Sequence, residues 1–551
     1  MNRMRGFDDQ PRLKLLVLGG VLTALMSVGS AHAGFLDKVK QTAGSVGDSI
    51  TGNKSAPTAP SSGDQLKIEP LKTEPLPANA PLDDFKQNKP LDLTTLFEKE
   101  IAGKDKILFL MERGRLAQML GDLEASKASF DAAIQTIKEN DEKAVVSAKE
   151  AGSQLAAILV NDKAIAYKGD GFERVLLRHF QALNHLAGGD LEGAGVEVRN
   201  ANFEQEQALK GHEKEVEDAK TAAEEKQVNA PEDDANITSA FSAMDEAAGK
   251  VKNSFQNAYT FYMSGIIREM LNEPNDAYID YKKALEIFPD NTFIQKDVIR
   301  LAKTLEMTDD LERFKTQYPS ISTDSAGLSA TDGELIVFFE DGLIPQKEGI
   351  SIPIPLVGGL SAVAFPIYNF KWNDPQPLTL SSDANPIGQS EPICFVGALA
   401  VKALKEKVPT MVLRQVIRST VKGVATKAAK DQFGGLGALA ASAYNVLSEQ
   451  ADTRCWISLP ESAQVLRVFL PAGKHTLALG QNETGASATA SVDVQAGQKN
   501  ILRVIRVGNS LISQQIWPAV QASTSEAPAS PAPVEAVSPN TEDSGTSASN
   551  Q

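Results

Sequence analysis

Apolar residues recur every three to four positions from about residue 100 to residue 315, and every two positions over much of the chain beyond. In the first part Phe130, Ala133, Ile134 and Ile137 fall on one helical stripe, and Leu191, Ala194, Val198 and Ala201 on another. Each stripe follows a glycine and an aspartate, Gly121-Asp122 and Gly189-Asp190. The glycine suits the left-handed residue that ends a helix, and the aspartate suits the cap of the next. The segments GDLEASKASFDAA (121–133) and GDLEGAGVEVRNA (189–201) therefore read as two versions of one turn-and-helix unit, 68 positions apart. A third version, NDAYIDYKKALEIFPDN, starts at Asn275. It predicts a helix over Phe261–Leu271 and another over Asp276–Phe288, stopped by Pro289. Ile294–Leu305 then serves as a capping helix, which a stacked array needs to cover its last apolar face. Residues 144–159 are helical by pattern. Residues 204–246, rich in Glu, Asp, Lys and Ala, predict a long solvated helix and a loop at Asn229–Asp234.

Near Ser320 the period changes. Glu334–Phe339 (ELIVFF) is the continuous run of a buried strand. Residues 349–370 are strongly apolar, but Pro353, Pro355 and Pro366 exclude an ordinary helix; a core hairpin and an exposed contact patch both fit. Phe370–Leu380 alternates like a strand. Residues 395–450 return to helix, with Pro409 suited to a first helical turn. Lys402, Lys405, Lys407, Arg414, Arg418, Lys422, Lys427 and Lys430 make that block basic. It offers a face to an anionic partner, to lipid headgroups or to the chain's own acidic segments. Strands are predicted at Cys455–Leu459, Ala463–Leu470, Lys474–Leu479, Ala486–Val494 and Asn500–Val507. In the fourth, Ala488, Ala490, Val492 and Val494 alternate with polar residues, as on a half-buried strand.

The ends of the chain differ from its body. Arg3, Arg5, Arg12 and Lys14, the apolar run Leu15–Met26 and Ala31-His32-Ala33 have the layout of a secretory signal peptide, 1–33. An uncleaved anchor is the alternative. Residues 34–50 carry an amphipathic pattern, and the rest of 34–90 reads as a Pro-rich linker. Residues 516–551, rich in Ala, Ser, Pro, Thr and Glu, read as a disordered tail. The formal net charge of −16 argues against nucleic acid as a partner, since that needs a concentrated basic face. The expected chain is exported and periplasmic, peripheral to the outer membrane in one version.

Two stretches carry family likenesses. Ala277, Tyr281, Ala284 and Pro289, with Phe261 and Gly265 upstream, have the spacing of a tetratricopeptide repeat, so residues 100–315 resemble that family. LPAGKHTLAL followed by SVDVQAGQKNILRV resembles the PEGA-type β-sandwich. The whole order, with LLRHFQALNHLAGGDLEGAGVEVRNAN, IVFFEDGLIP and EQADTRCWISLPESAQVLRVFLPAGKHT, resembles a family of exported bacterial envelope proteins of unknown function. Many members of that family look lipid-anchored; this chain lacks the lipidation cysteine. Together these imply an α+β multidomain chain. A tetratricopeptide-like helical repeat domain (91–318) precedes a β-sandwich-like domain (319–515) with a helical insertion (395–450). The resemblance implies a scaffold or adaptor for envelope proteins. Its groove positions would be Arg115, Gln118, His179, Tyr259, Tyr262 and Glu269, with Tyr262 and Arg115 the strongest anchors. The alternative is a glycan- or cell-wall-binding module that uses the β domain to meet peptidoglycan or outer-membrane components.

No enzyme is expected, and no cofactor or metal. His179 and His185 lie about 120° apart on a helix and share no face. His475 has no acidic or Cys neighbour of motif type. Gly435–Ala440 matches GxGxxA but follows a helical pattern, where a dinucleotide site needs a strand. Glu340 and Asp341 on a turn read as solvent-exposed, and Glu232, Asp233, Asp234 and Asn236 only faintly suggest a cation loop. Cys394 and Cys455 are the only cysteines, and an exported chain permits a disulfide between them across the helical insertion. Two separate buried thiols are the alternative.

Overall fold

The computed structural model describes residues 68–147, 163, 165–226, 234–322, 331–356, 359–382, 385–418, 450–481 and 484–518. The expected signal peptide, the GxGxxA motif, Lys422, Lys427 and Lys430, Glu232 and Asp233, and the C-terminal tail from residue 519 lie outside them. The last part of the expected linker does not behave as one. Residues Glu69–Pro70 form strand β1, and Asn79–Lys86 form helix α1, whose Leu82 and Phe85 are buried. A short helix α2 (Glu98–Ile101) follows.

Four helical hairpins come next or nearly so: α3 (Lys106–Leu120) with α4 (Leu123–Ser147), and α5 (Gly171–Ala187) with α6 (Leu191–Lys226). After α7 (Ala235–Ser242) and α8 (Asp245–Gly249) come α9 (Ala258–Met270) with α10 (Pro274–Ile287), and α11 (Thr292–Thr304) with α12 (Thr308–Gln317). All four turns close alike. A left-handed residue stands at Gly121, Gly189, Asn272 and Glu306 (φ 79°, 78°, 61° and 57°). The next amide donates to the carbonyl five residues back: Asp122 to Ala117, Asp190 to His185, Glu273 to Arg268 and Met307 to Ala302, at 2.8–2.9 Å. This is the Schellman closure. Asn272 and Glu306 are 34 positions apart. The predicted capping helix Ile294–Leu305 is therefore the first arm of a fourth hairpin, hidden because its turn residue is a glutamate. Gly114 and Gly265 sit where a Cβ would overlap the rings of Phe130 and Tyr281, sixteen positions on in both hairpins. The missing side chain lets the two helices of each hairpin approach closely.

Among the described residues the strands make three sheets. β2 (Asp332–Asp341) is the centre of a five-stranded sheet, order β12-β11-β2-β8-β7. Its other members are β7 (Glu391–Cys394), β8 (Ser462–Pro471), β11 (Lys499–Val507) and β12 (Ser510–Trp517). Only the β2–β11 pairing is parallel. A four-stranded sheet has the order β10-β9-β5-β6, with β5 (Thr379–Ser382), β6 (Asn385–Gln389), β9 (Gly473–Gly480) and β10 (Ser487–Val494). The smallest sheet is β1-β3-β4, with β3 (Lys347–Leu356) and β4 (Gly359–Tyr368). Residues 396–418 form helix α13 between β7 and β8.

Strand β2 is covered on both faces, which explains its unbroken apolar run. Phe338 meets the Tyr259 ring of α9 at 5.4 Å and Glu340 meets α3, so one face looks at the helices. Val337 pairs with Leu466, whose side chain abuts Gly388 of β6, so the other face looks at the four-stranded sheet. Helices, five-stranded sheet and four-stranded sheet thus stack in that order. Their buried side chains form one continuous cluster, and all the described residues belong to one compact unit.

Three sequence expectations change. Phe370–Leu380 is mostly irregular, with a strand only at β5. Pro409 lies inside α13 and not in its first turn, on the helix's exposed side between buried Val408 and Thr410. Cys455–Leu459 is not a strand, for a reason developed below. The 349–370 stretch is the β3–β4 hairpin. Ile350, Ile352, Ile354, Val363 and Phe365 are buried, and α7 covers them through Phe241, 6.0 Å from the Phe365 ring. That part of the stretch is core, not an exposed patch.

A candidate peptide groove

Residues 452–459 run in irregular conformation along the inner side of α3 and α5, and their backbone is held by side chains instead of a sheet. The Trp456 amide donates to Glu173 of α5 at 2.9 Å, and the Ile457 amide to Glu112 of α3 at 2.7 Å. Arg115 of α3 donates from Nε to the Ser458 carbonyl at 3.3 Å. Buried amides must find acceptors, and two glutamate carboxyl groups one helix apart match two consecutive amides. The Trp456 ring is fully buried between Phe130 and Phe180, edge-on to each at 6.0 and 5.8 Å. Its Nε1 donates to Ser458 Oγ at 2.9 Å. Arg454 pairs with Asp105 at 2.5 Å and with Asp452 at 2.6 Å, and its guanidinium lies 5.5 Å from the centre of the Tyr167 ring.

Local sequence places these groups. Asp170 and Glu173 form the capping box of α5. Glu173 Oε2 accepts from the Asp170 amide and the Tyr167 hydroxyl, which leaves Oε1 for Trp456. Burial first, and then the charge of Asp170, raise the Glu173 pKa. Burial also pushes Glu112 up to about 8, so this carboxyl is largely protonated at neutral pH. Its Oε2 has no hydrogen-bond partner among the described residues.

All six residues expected to line a partner groove do line the inner face, but none is open to a partner. Arg115 forms an ion pair with Glu340 of β2, and both are at most 1% exposed. Glu340 also accepts from Arg503 of β11 at 2.8 and 2.9 Å. Gln118 donates to the Phe180 carbonyl and to Asn184. His179 packs against Tyr259 with ring centres 4.1 Å apart and planes tilted by 48°, and burial lowers its pKa to about 3, so it is neutral. Tyr262 donates to Asp297 at 2.6 Å, and Asp297 pairs with Arg467 of β8. Glu269 is held by Arg300 at 2.7 Å and by Lys499 of β11 at 3.4 Å. The expectation of a free groove is thus corrected: the chain's own sheet and its 452–459 segment fill it. Burial opposes the charge on Glu269, Glu334 and Glu340, yet the surrounding Arg and Lys outweigh it and hold each at about 2.

Other candidates resolve similarly. Glu340 and Asp341 are not exposed on a turn. They alternate along β2, Glu340 toward Arg115 and Arg503, Asp341 toward Arg506 and Gln481. Of the basic block, Lys405 pairs with Asp245, Lys407 with Asp170, and Arg414 with Glu215 at 3.0 Å, so the chain's own acidic residues meet it. Asp234 caps α7. His185 meets Asp190 at 2.7 Å, and His475 meets the Pro471 carbonyl. The expected disulfide is absent: Cys394 and Cys455 are both free and buried. Cys394 ends β7 beside Ala463, whereas Cys455 lies in the groove segment, next to Arg454, whose carbonyl accepts from Lys347. Burial pushes the Cys455 thiol up to about 12 and raises that of Cys394, so neither is poised to react. Among the described residues no group of three or more His, Cys, Asp or Glu is placed to hold a metal, and no helix is long and apolar enough to cross a membrane.

The groove's key residues, Glu112, Glu173 and Trp456, escaped the sequence reading. One signal was present: Glu112 and Arg115 interrupt KILFLMERGRLAQML, a helix apolar on every side. Charges there must be buried and partnered. Comparison with family models, curated proteins and solved structures finds no match for this chain.

Proposed function

We propose that this chain is a non-catalytic scaffold of the bacterial envelope, exported by its N-terminal signal and built to hold protein segments. The hairpins read as tetratricopeptide-like repeats. Gly114, Ala182 and Gly265 stand seven residues before the left-handed turn residue, and Phe130, Val198 and Tyr281 nine after it. Strands β8 to β11 read as the PEGA-like part. The observation that carries the proposal is the irregular segment 452–459, whose backbone is gripped by side chains of two neighbouring hairpins. That is how a helical-repeat scaffold holds a peptide.

With the inner face filled, envelope partners meet the outer face. Phe203 on α6 and Ile279 on α10 are 58% and 51% exposed there. Both point away from the core, so a crosslinker at either position reaches a protein docked on α6 or α10. Photocrosslinking in cells from positions 203 and 279 should give discrete protein adducts that purified components reproduce. No adduct from either position would count against the scaffold reading.

The glycan-binding alternative has one supporting feature. A shallow surface cleft is lined by Phe288, Phe395, Asn253, Gln256 and two lysines, Lys250 and Lys252. Trp372 stacks edge-on against Phe395 at 4.9 Å beside it. Co-sedimentation of the full chain with purified peptidoglycan, lost in Trp372→Ala, would favour that reading.

A further inference from the structure

We propose that the inner face of α3 and α5 is a peptide-binding groove occupied in cis, and that its trans ligand is an irregular, turn-forming peptide bearing a tryptophan with an arginine two residues before it. This deepens the scaffold reading and rests on it.

Two kinds of contact define the ligand. Those to the backbone are independent of sequence: Glu173 and Glu112 take the amides of Trp456 and Ile457, and Arg115 takes the carbonyl of the following residue, Ser458. They require only an irregular chain free of sheet pairing, with no proline at the two amide positions. Those to side chains select sequence. The space between Phe130 and Phe180 holds the largest fully buried side chain of the described residues, Trp456. A smaller residue would leave that space unfilled. Two positions earlier, Asp105 and the Tyr167 ring receive a guanidinium, and the Ile165 carbonyl accepts from it at 2.9 Å. A lysine in that place would lose the forked hydrogen-bond geometry that serves Asp105 and the Ile165 carbonyl.

Because segment 452–459 belongs to the same chain, it competes at an effective concentration on the order of millimolar. A free peptide at micromolar concentration therefore binds weakly to the native chain and far better to one whose own segment has lost its anchor. A partner that docks on the outer face and carries such a peptide would gain the same advantage.

The test uses the full chain with Trp456→Ala, shown to be folded by circular dichroism, and a fluorescein-labelled peptide of residues 452–461 read by anisotropy. The proposal predicts saturable binding to the variant, at least tenfold tighter than to the unaltered chain. Binding should also weaken at least tenfold when the peptide carries Trp456→Ala or Arg454→Lys. A folded variant that shows no saturable binding, or that binds the altered peptides equally well, overturns it. If Trp456→Ala does not fold, Arg454→Ala removes the segment's other anchor, the guanidinium on Asp105 and the Tyr167 ring, and decides by the same criteria. Adducts from positions 203 and 279 test the scaffold reading separately, so the two can fail independently.

Discussion

Replacing Glu340 by alanine removes the one carboxylate shared by Arg115 and Arg503, which are 1% and 2% exposed. Both guanidiniums would be left in the seam between helices and sheet, each against the Phe180 ring. Stranding one buried charge costs roughly 3–5 kcal/mol, and two such charges place this change at the upper end or above. For a body of roughly 400 residues the unfolding entropy is about 0.8 kcal/mol/K, so the melting temperature should fall by about 6 °C or more. Differential scanning calorimetry at pH 7 measures this. The triple variant Arg115→Met, Glu340→Leu, Arg503→Met removes all three charges and keeps the volume. It should regain most of the loss, to within about 2 kcal/mol of the native chain, because an apolar replacement of a buried ionic group is often neutral or better. Its residual deficit would come from the Ser458 carbonyl, which loses the Arg115 donor, and from the weak Tyr259–Glu340 contact at 3.4 Å. A drop of less than about 1 °C for Glu340→Ala, or a triple variant less stable than the single, would refute the claim that this ion triad is buried and coupled.

Two more outcomes follow from buried groups. Glu112, pushed up to about 8, binds a proton in the folded state that the unfolded chain releases near 4.5, so its contribution is full below that value and is lost as pH rises through about 8. Glu112→Gln keeps an acceptor for the Ile457 amide; it should match the native chain near pH 5 and exceed it by a few kcal/mol near pH 9 in urea titrations. Glu269, Glu334 and Glu340 act in the opposite sense, stabilising above about 4.5 and losing that effect as pH falls toward 2, so a native chain that survives pH 2 unchanged would contradict their pairing. Denaturation without reductant, followed by alkylation, should label both Cys394 and Cys455; a mass showing neither labelled would restore the disulfide.

Much of the fold was legible because its signals are local. Gly121 and Gly189 announced two hairpin turns, and Pro289 ended α10. Asn272 and Glu306 do the same work as those glycines but look ordinary in sequence, so the fourth hairpin read as a single cap. The six inner-face residues were found through repeat spacing, yet their partners were not. Whether Arg115 meets a foreign carboxylate or Glu340, 225 positions away, depends on how the sheet folds back, and no local pattern carries that. Cys455–Leu459 illustrates the same limit. Its composition suits a strand, but Glu112 and Glu173 offer its amides acceptors that no neighbouring strand supplies.

The account stands on segment 452–459 being gripped in the groove, and amide hydrogen exchange of the full chain reads that grip directly. The Trp456 and Ile457 amides, each held by a buried glutamate carboxyl group, should exchange as slowly as those of β2, whose Leu335 to Phe339 are fully buried. Exchange of Trp456 and Ile457 at the rate of an unstructured peptide, while β2 stays protected, would show the groove empty and contradict the account.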